Sequence, residues 1–112
     1  DDEQGKETIG RVYTSYNYLM DPHTACAWAV AETHRGNAPM VVLSTASPYK
    51  FSSAVLSSIG GDVSGSEYER MDRLSAITGV PIPKNLRSLR DKPELHTQVI
   101  PKEDMLDFVL RQ

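Results

Sequence analysis

Three hydroxyl residues, Ser44, Thr45 and Ser47, stand where an apolar run gives way to Pro48. The run from Pro39 to Leu43 shows no polar alternation and reads as a strand covered on both faces, as in a parallel sheet. Open α/β sheets place ligands beyond the carboxyl ends of such strands, so these hydroxyls are candidates for holding one. A second stretch, Asp21-Pro22-His23-Thr24, carries a carboxylate and an imidazole. Ser44 or Ser47 with His23 and Asp21 has the residue types of a Ser-His-Asp hydrolase. However, Asp before Pro is a strong helix start, and no nucleophile-elbow glycines flank either serine. Lys50, just inside the next helix, could attract an anion; a solvated helix residue is the plainer reading. His23, His34 and His96 are scattered, so no metal spacing exists. Gly60-Gly61 follows a predicted helix rather than a strand, so no phosphate loop is expected.

These residues need elements to position them. Ile9, Val12, Tyr13 and Tyr16 predict an amphipathic helix over Thr8 to Tyr16, closed by Asn17. Asp21 and Pro22 open a second helix, nearly all apolar from Ala25 to Ala31, which needs cover on most of its surface; Gly36 closes it. Met40 to Leu43 is the predicted central strand. Ser47 caps and Pro48 opens a third helix, with Phe51, Ala54, Val55 and Ile59 as its stripe. Ser66 and Glu69 form a capping box for a fourth, with Tyr68, Met71, Leu74 and Ile77 inward and Gly79 at its end. Val80 to Pro83 is an extended connector. Lys84 to Arg90 predicts a helical turn with Leu86 and Leu89 inside. His96 to Ile100 alternates like a short strand, and Pro101 to Leu110 predicts a last helix burying Met105, Phe108 and Val109.

The expected class is therefore α/β, with helices packed on a small, incomplete, mainly parallel sheet. Such a layer needs more strands beside it, so the chain reads as part of a larger sheet or as a subunit covered by another chain. The 112 residues make one domain or part of one, and a net charge of −3 gives no footprint for nucleic acid. The apolar runs are too short for a membrane span, and the acidic start does not resemble a signal peptide. The single Cys26 lies in an apolar run and reads as a small buried hydrophobe, in a reducing compartment, most simply the cytoplasm.

Three stretches carry a resemblance: Tyr18 to Ala25, Leu43 to Phe51, and Leu74 to Pro83. In order and spacing they resemble the C-terminal segment of threonine synthase, and the likeness runs over nearly the whole chain. It implies that residues 1–112 form a single C-terminal piece of a fold type II, pyridoxal-phosphate-dependent enzyme. That family converts O-phospho-L-homoserine and water to L-threonine and phosphate. It also implies that the Thr45 hydroxyl contacts the pyridine nitrogen of the cofactor, and that Asp21 lies near the same ring edge while also capping its helix. A neutral hydroxyl suits that nitrogen because it does not force a proton onto it. The family's Schiff-base lysine and glycine-rich loop lie upstream of the matched segment, and Lys6, Lys50, Lys84, Lys92 and Lys102 do not resemble that lysine. The resemblance thus assigns no catalytic residue here. This chain alone is expected to be inactive, to bind no cofactor by itself, to partner the remainder of a threonine synthase chain, and to self-associate when isolated. The alternative is a threonine-synthase-like interaction module without catalysis.

Overall fold

The computed structural model describes residues 1–111. Helix α1 runs from Asp2 to Tyr16, because Asp1 caps it by accepting from the Gln4 N–H at 2.9 Å. That cap carries the helix well before the expected Thr8. Asp2 and Glu3 in the first turn suit the positive end of the helix, and Asn17 closes it in the left-handed region at φ 52°. Helix α2, Pro22–Thr33, begins at the Asp21 cap and ends at His34, short of the expected Gly36.

Ser47 and Pro48 start a helical segment as expected, but its first turn, Pro48–Phe51, is 3-10 and leads into α3, Ser52–Ser58. Helix α4, Glu67–Thr78, has the full capping box between Ser66 and Glu69 and ends at Gly79, whose φ of 71° suits a residue without a side chain. A short α5, Lys84–Arg87, passes into a 3-10 turn, Ser88–Asp91. A 3-10 turn at Lys102–Asp104 leads into α6, Met105–Leu110.

The core forms where α1 packs on α2 and α3, and α3 on α4. Ile9, Val12, Met20, Tyr49, Val55, Leu56 and Leu74 fill it, each almost fully buried. Burying an aliphatic side chain stabilises a fold by roughly 1.5–3 kcal/mol, so this cluster is the main source of order. Gly10 sits at the crossing of α1 and α3, where a Cβ would run into the backbone carbonyl of Ser58. The buried Tyr49 hydroxyl donates to the Val80 carbonyl, which also accepts from Ser75 Oγ at 2.9 Å, and this ties the connector to the core. Arg90 clamps the following turn to α4, pairing with Asp72 at 2.7 Å and lying 5.2 Å from the centre of the Tyr68 ring.

The expected sheet is absent. Among the described residues every regular element is helical. Met40 to Leu43 and His96 to Ile100 run without strand pairing. A strand exists through the backbone bonds of a neighbour, and none lies beside either segment. Val41 and Leu43 are instead 82% and 74% exposed. Several expected core residues also face water, for the same want of a neighbour: Ile77, Leu89, Met105 and Val109 are exposed, and so is Cys26. From Arg87 to Leu110 only Phe108 is even half-buried. The radius of gyration is 17.7 Å, against roughly 13 Å for a close-packed chain of this length. No described helix is long and apolar enough to cross a membrane.

Candidate functional site

Asp21 is fully buried at the mouth of α2. One carboxylate oxygen accepts from the His23 N–H at 2.9 Å, the Thr24 N–H at 3.4 Å and the His23 ring at 3.0 Å. The other accepts from the Thr24 hydroxyl. Burial by itself pushes the Asp21 carboxyl up, but these donors, the Thr24 hydroxyl and His23 ring first, outweigh it and hold it below its ordinary value. Asp21 is therefore a carboxylate that can only accept. It follows that His23 donates through Nδ1, and in the neutral ring that places the lone pair on Nε2.

The stretch before Pro48 passes beside this helix start. Thr24 Oγ1 lies 3.4 Å from Ser44 Oγ, and because its one proton is committed to Asp21, Ser44 is the donor in that contact. Thr45 follows and is exposed, while Ser47 is occupied in capping Tyr49 N–H at 3.3 Å. The His23 ring meets the Phe51 ring edge-on, with centroids 5.0 Å apart. Tertiary structure thus brings Asp21, His23, Thr24 and Ser44 to one rim, with Thr45 next to Ser44. Lys50 is exposed on the adjoining 3-10 turn and belongs to no ion pair among the described residues. The Phe51 contact had no sequence signal, because it joins residues from separate helices.

The rim is open. A hollow of about 290 Å³ lies elsewhere, among Tyr16, Trp28, Glu32, Arg35 and Met40. A shallow apolar trough runs between α2 and the unpaired segment, lined by Cys26, Ala27, Val30 and Met40 to Leu43. Neither includes Thr45.

Comparison with known proteins gives the family. A model described as threonine synthase, C-terminal, matches residues 24–108. The chain belongs to that family. The matched span includes Thr24, Ser44 and Thr45, and Asp21 and His23 lie just before it. The chain is 50% identical over 56 residues to a threonine synthase of Pseudomonas aeruginosa, covering 48% of this chain and 12% of that protein. It is 42% identical over 55 residues to a threonine synthase of Corynebacterium glutamicum, covering 47% and 11%. It is also 29% identical over 100 residues to threonine synthase-like 1 of Mus musculus, covering 83% of this chain and 13% of that protein. The matched segments thus cover only 11–13% of the length of these relatives.

Proposed function

We propose that this chain is the C-terminal part of a pyridoxal-phosphate-dependent threonine synthase and supplies one rim of its cofactor and substrate site. The observation that carries this is the meeting of two distant stretches, Asp21–Thr24 and Ser44–Thr45, through the Thr24–Ser44 contact at 3.4 Å. The exposed Thr45 hydroxyl fits the pyridine nitrogen of the cofactor, where it serves as a neutral partner. Asp21 serves the same ring edge indirectly, because both its oxygens are taken up by His23 and Thr24. When bound, the cofactor supplies the electron sink for chemistry at the substrate carbons. An anchoring lysine is activated by desolvation or by a neighbouring cation, and none of Lys6, Lys50, Lys84, Lys92 and Lys102 is buried. This supports an anchor elsewhere in the full-length protein and an inactive isolated chain.

The apolar trough along α2 and Met40 to Leu43 fits the same reading. Its exposed Val41 and Leu43 need a covering surface, and the relatives are several times longer than this chain. The remainder of the threonine synthase chain is the occupant proposed here.

The test is the full-length protein that contains this segment, loaded with pyridoxal phosphate and given O-phospho-L-homoserine. L-Threonine and phosphate are expected in equal amounts, and none from this chain alone. Thr45→Ala removes one hydrogen bond worth about 1 kcal/mol, so it should weaken cofactor binding several-fold and lower turnover. Unchanged cofactor affinity and kinetics would remove Thr45 from the site. A full-length protein that forms no threonine would remove the reading itself.

A further inference from the structure

The backbone cap of α2 does not use the His23 imidazole, although the ring helps to keep the buried Asp21 ionised. The helix cap is complete with the backbone N–H groups of His23 and Thr24, and the His23 side chain is 66% exposed. Yet the ring is held on two sides, by the buried Asp21 carboxylate at 3.0 Å and by the edge-on Phe51 ring at 5.0 Å. A solvent-facing side chain loses rotamer freedom when fixed in this way. The arrangement is that of a base oriented by a third group, with Nδ1–H on the carboxylate and Nε2 presented outward.

We propose that His23 Nε2 is the proton acceptor for the water consumed at this rim. The proposal rests on the threonine synthase reading, because that reaction consumes one water. In forming threonine from O-phosphohomoserine, the phosphate leaves with the electron pair of its C–O bond, and the carbon that bore it gains a hydrogen. The neighbouring carbon exchanges a hydrogen for the hydroxyl. At that carbon the water oxygen forms the new C–O bond as one of its O–H bonds breaks, and the freed proton passes to Nε2. Asp21 stabilises the resulting imidazolium through Nδ1–H. The proton then leaves with the released phosphate, and the neutral ring is restored.

Two substitutions and one spectrum test this. Asparagine places an amide N–H close to where Nδ1–H stands but has nothing at Nε2. His23→Asn therefore preserves the contact with Asp21 and removes the acceptor. In the full-length enzyme it should lower kcat by about 100-fold or more, the usual scale for a lost general base, with KM and cofactor affinity within about threefold. His23→Gln loses the Asp21 contact as well and, because an amide takes up no proton, should fall at least as far in kcat as His23→Asn. A merely structural histidine gives a near-normal kcat for His23→Asn and a loss only for His23→Gln. In this chain alone, nitrogen NMR of the ring at pH 8 should show the tautomer protonated at Nδ1. The role is overturned by a ring protonated at Nε2, or by a kcat for His23→Asn within about threefold of wild type. Wild-type enzyme that forms no threonine removes the reaction and this role together; wild type that turns over while His23→Asn does equally well removes the role alone.

Discussion

Replacing Asp21 by alanine removes a buried carboxylate that accepts from His23 and Thr24, backbone and side chain alike. Two losses can be separated. The first is the helix cap, the backbone donors of His23 and Thr24, worth about 1 kcal/mol with a range of roughly 0.5–2. The second is the Thr24 hydroxyl, which is buried and left without its charged acceptor, at a cost of about 1–3 kcal/mol. Together Asp21→Ala should destabilise the chain by roughly 2–4 kcal/mol, a large share of a typical total of about 5–15. Urea unfolding followed by circular dichroism at neutral pH measures this as a lower midpoint at unchanged slope. Thr24→Val removes the orphaned hydroxyl, so the double variant should lose less than the sum of the single ones, by about 1 kcal/mol or more. The pH dependence follows from the depressed Asp21 carboxyl. In the folded state it binds its proton only below the ordinary carboxylate value near 3.9, whereas the unfolded state binds it there. Its contribution is thus full above about pH 5 and is lost as pH falls through the folded value. Wild type and Asp21→Ala should converge in that acid range. A neutral-pH difference under about 0.5 kcal/mol, or a gap that persists unchanged in acid, would refute the account of Asp21 as a buried, ionised cap.

Gly10 and Gly5 lie in the same helix and should respond oppositely to alanine. At Gly10 the added Cβ meets the immovable Ser58 carbonyl, and the close α1–α3 crossing should lose about 1–3 kcal/mol. At Gly5 no atom lies within 4 Å of the added Cβ, and helix propensity should give a gain of about 0.5–1 kcal/mol. Thermal unfolding of both variants checks this, and shifts of the same sign would refute it. The isolated chain, with Val41 and Leu43 exposed beside α2, should self-associate at high concentration. Sedimentation velocity reads this directly; Val41→Lys should abolish it, and a strictly monomeric wild type would count against the covered-face reading.

Much of the local structure was legible without any fold. Asp21 and Pro22 opening α2, Ser66 and Glu69 boxing α4, Asn17 and Gly79 closing their helices are side-chain and backbone preferences that act within three or four residues. The three motif stretches were equally legible and led to the family. The inward faces of α1, α3 and α4 were legible too, since Ile9, Val12, Val55, Met71 and Leu74 are buried as expected. What failed was the sheet and the cover expected for the remaining apolar residues. Met40 to Leu43 has the composition of a buried strand, but strand pairing is supplied by another segment, and none among the described residues pairs with it. Cys26, Ile77 and Val109 have core composition and are exposed for the same reason.

The rim divides in the same way. Asp21 as a cap was written in its own stretch, whereas the approach of Ser44 to Thr24 and of Phe51 to His23 was not. Those contacts exist only because α2 and the segment leading into α3 pack together. By itself the sequence determined where helices start and stop, because those bonds close over a single turn. Only the tertiary structure decided which apolar residues stay uncovered, that Met40 to Leu43 forms no strand and how the His23 ring is turned, because each depends on atoms that the chain brings from a distance.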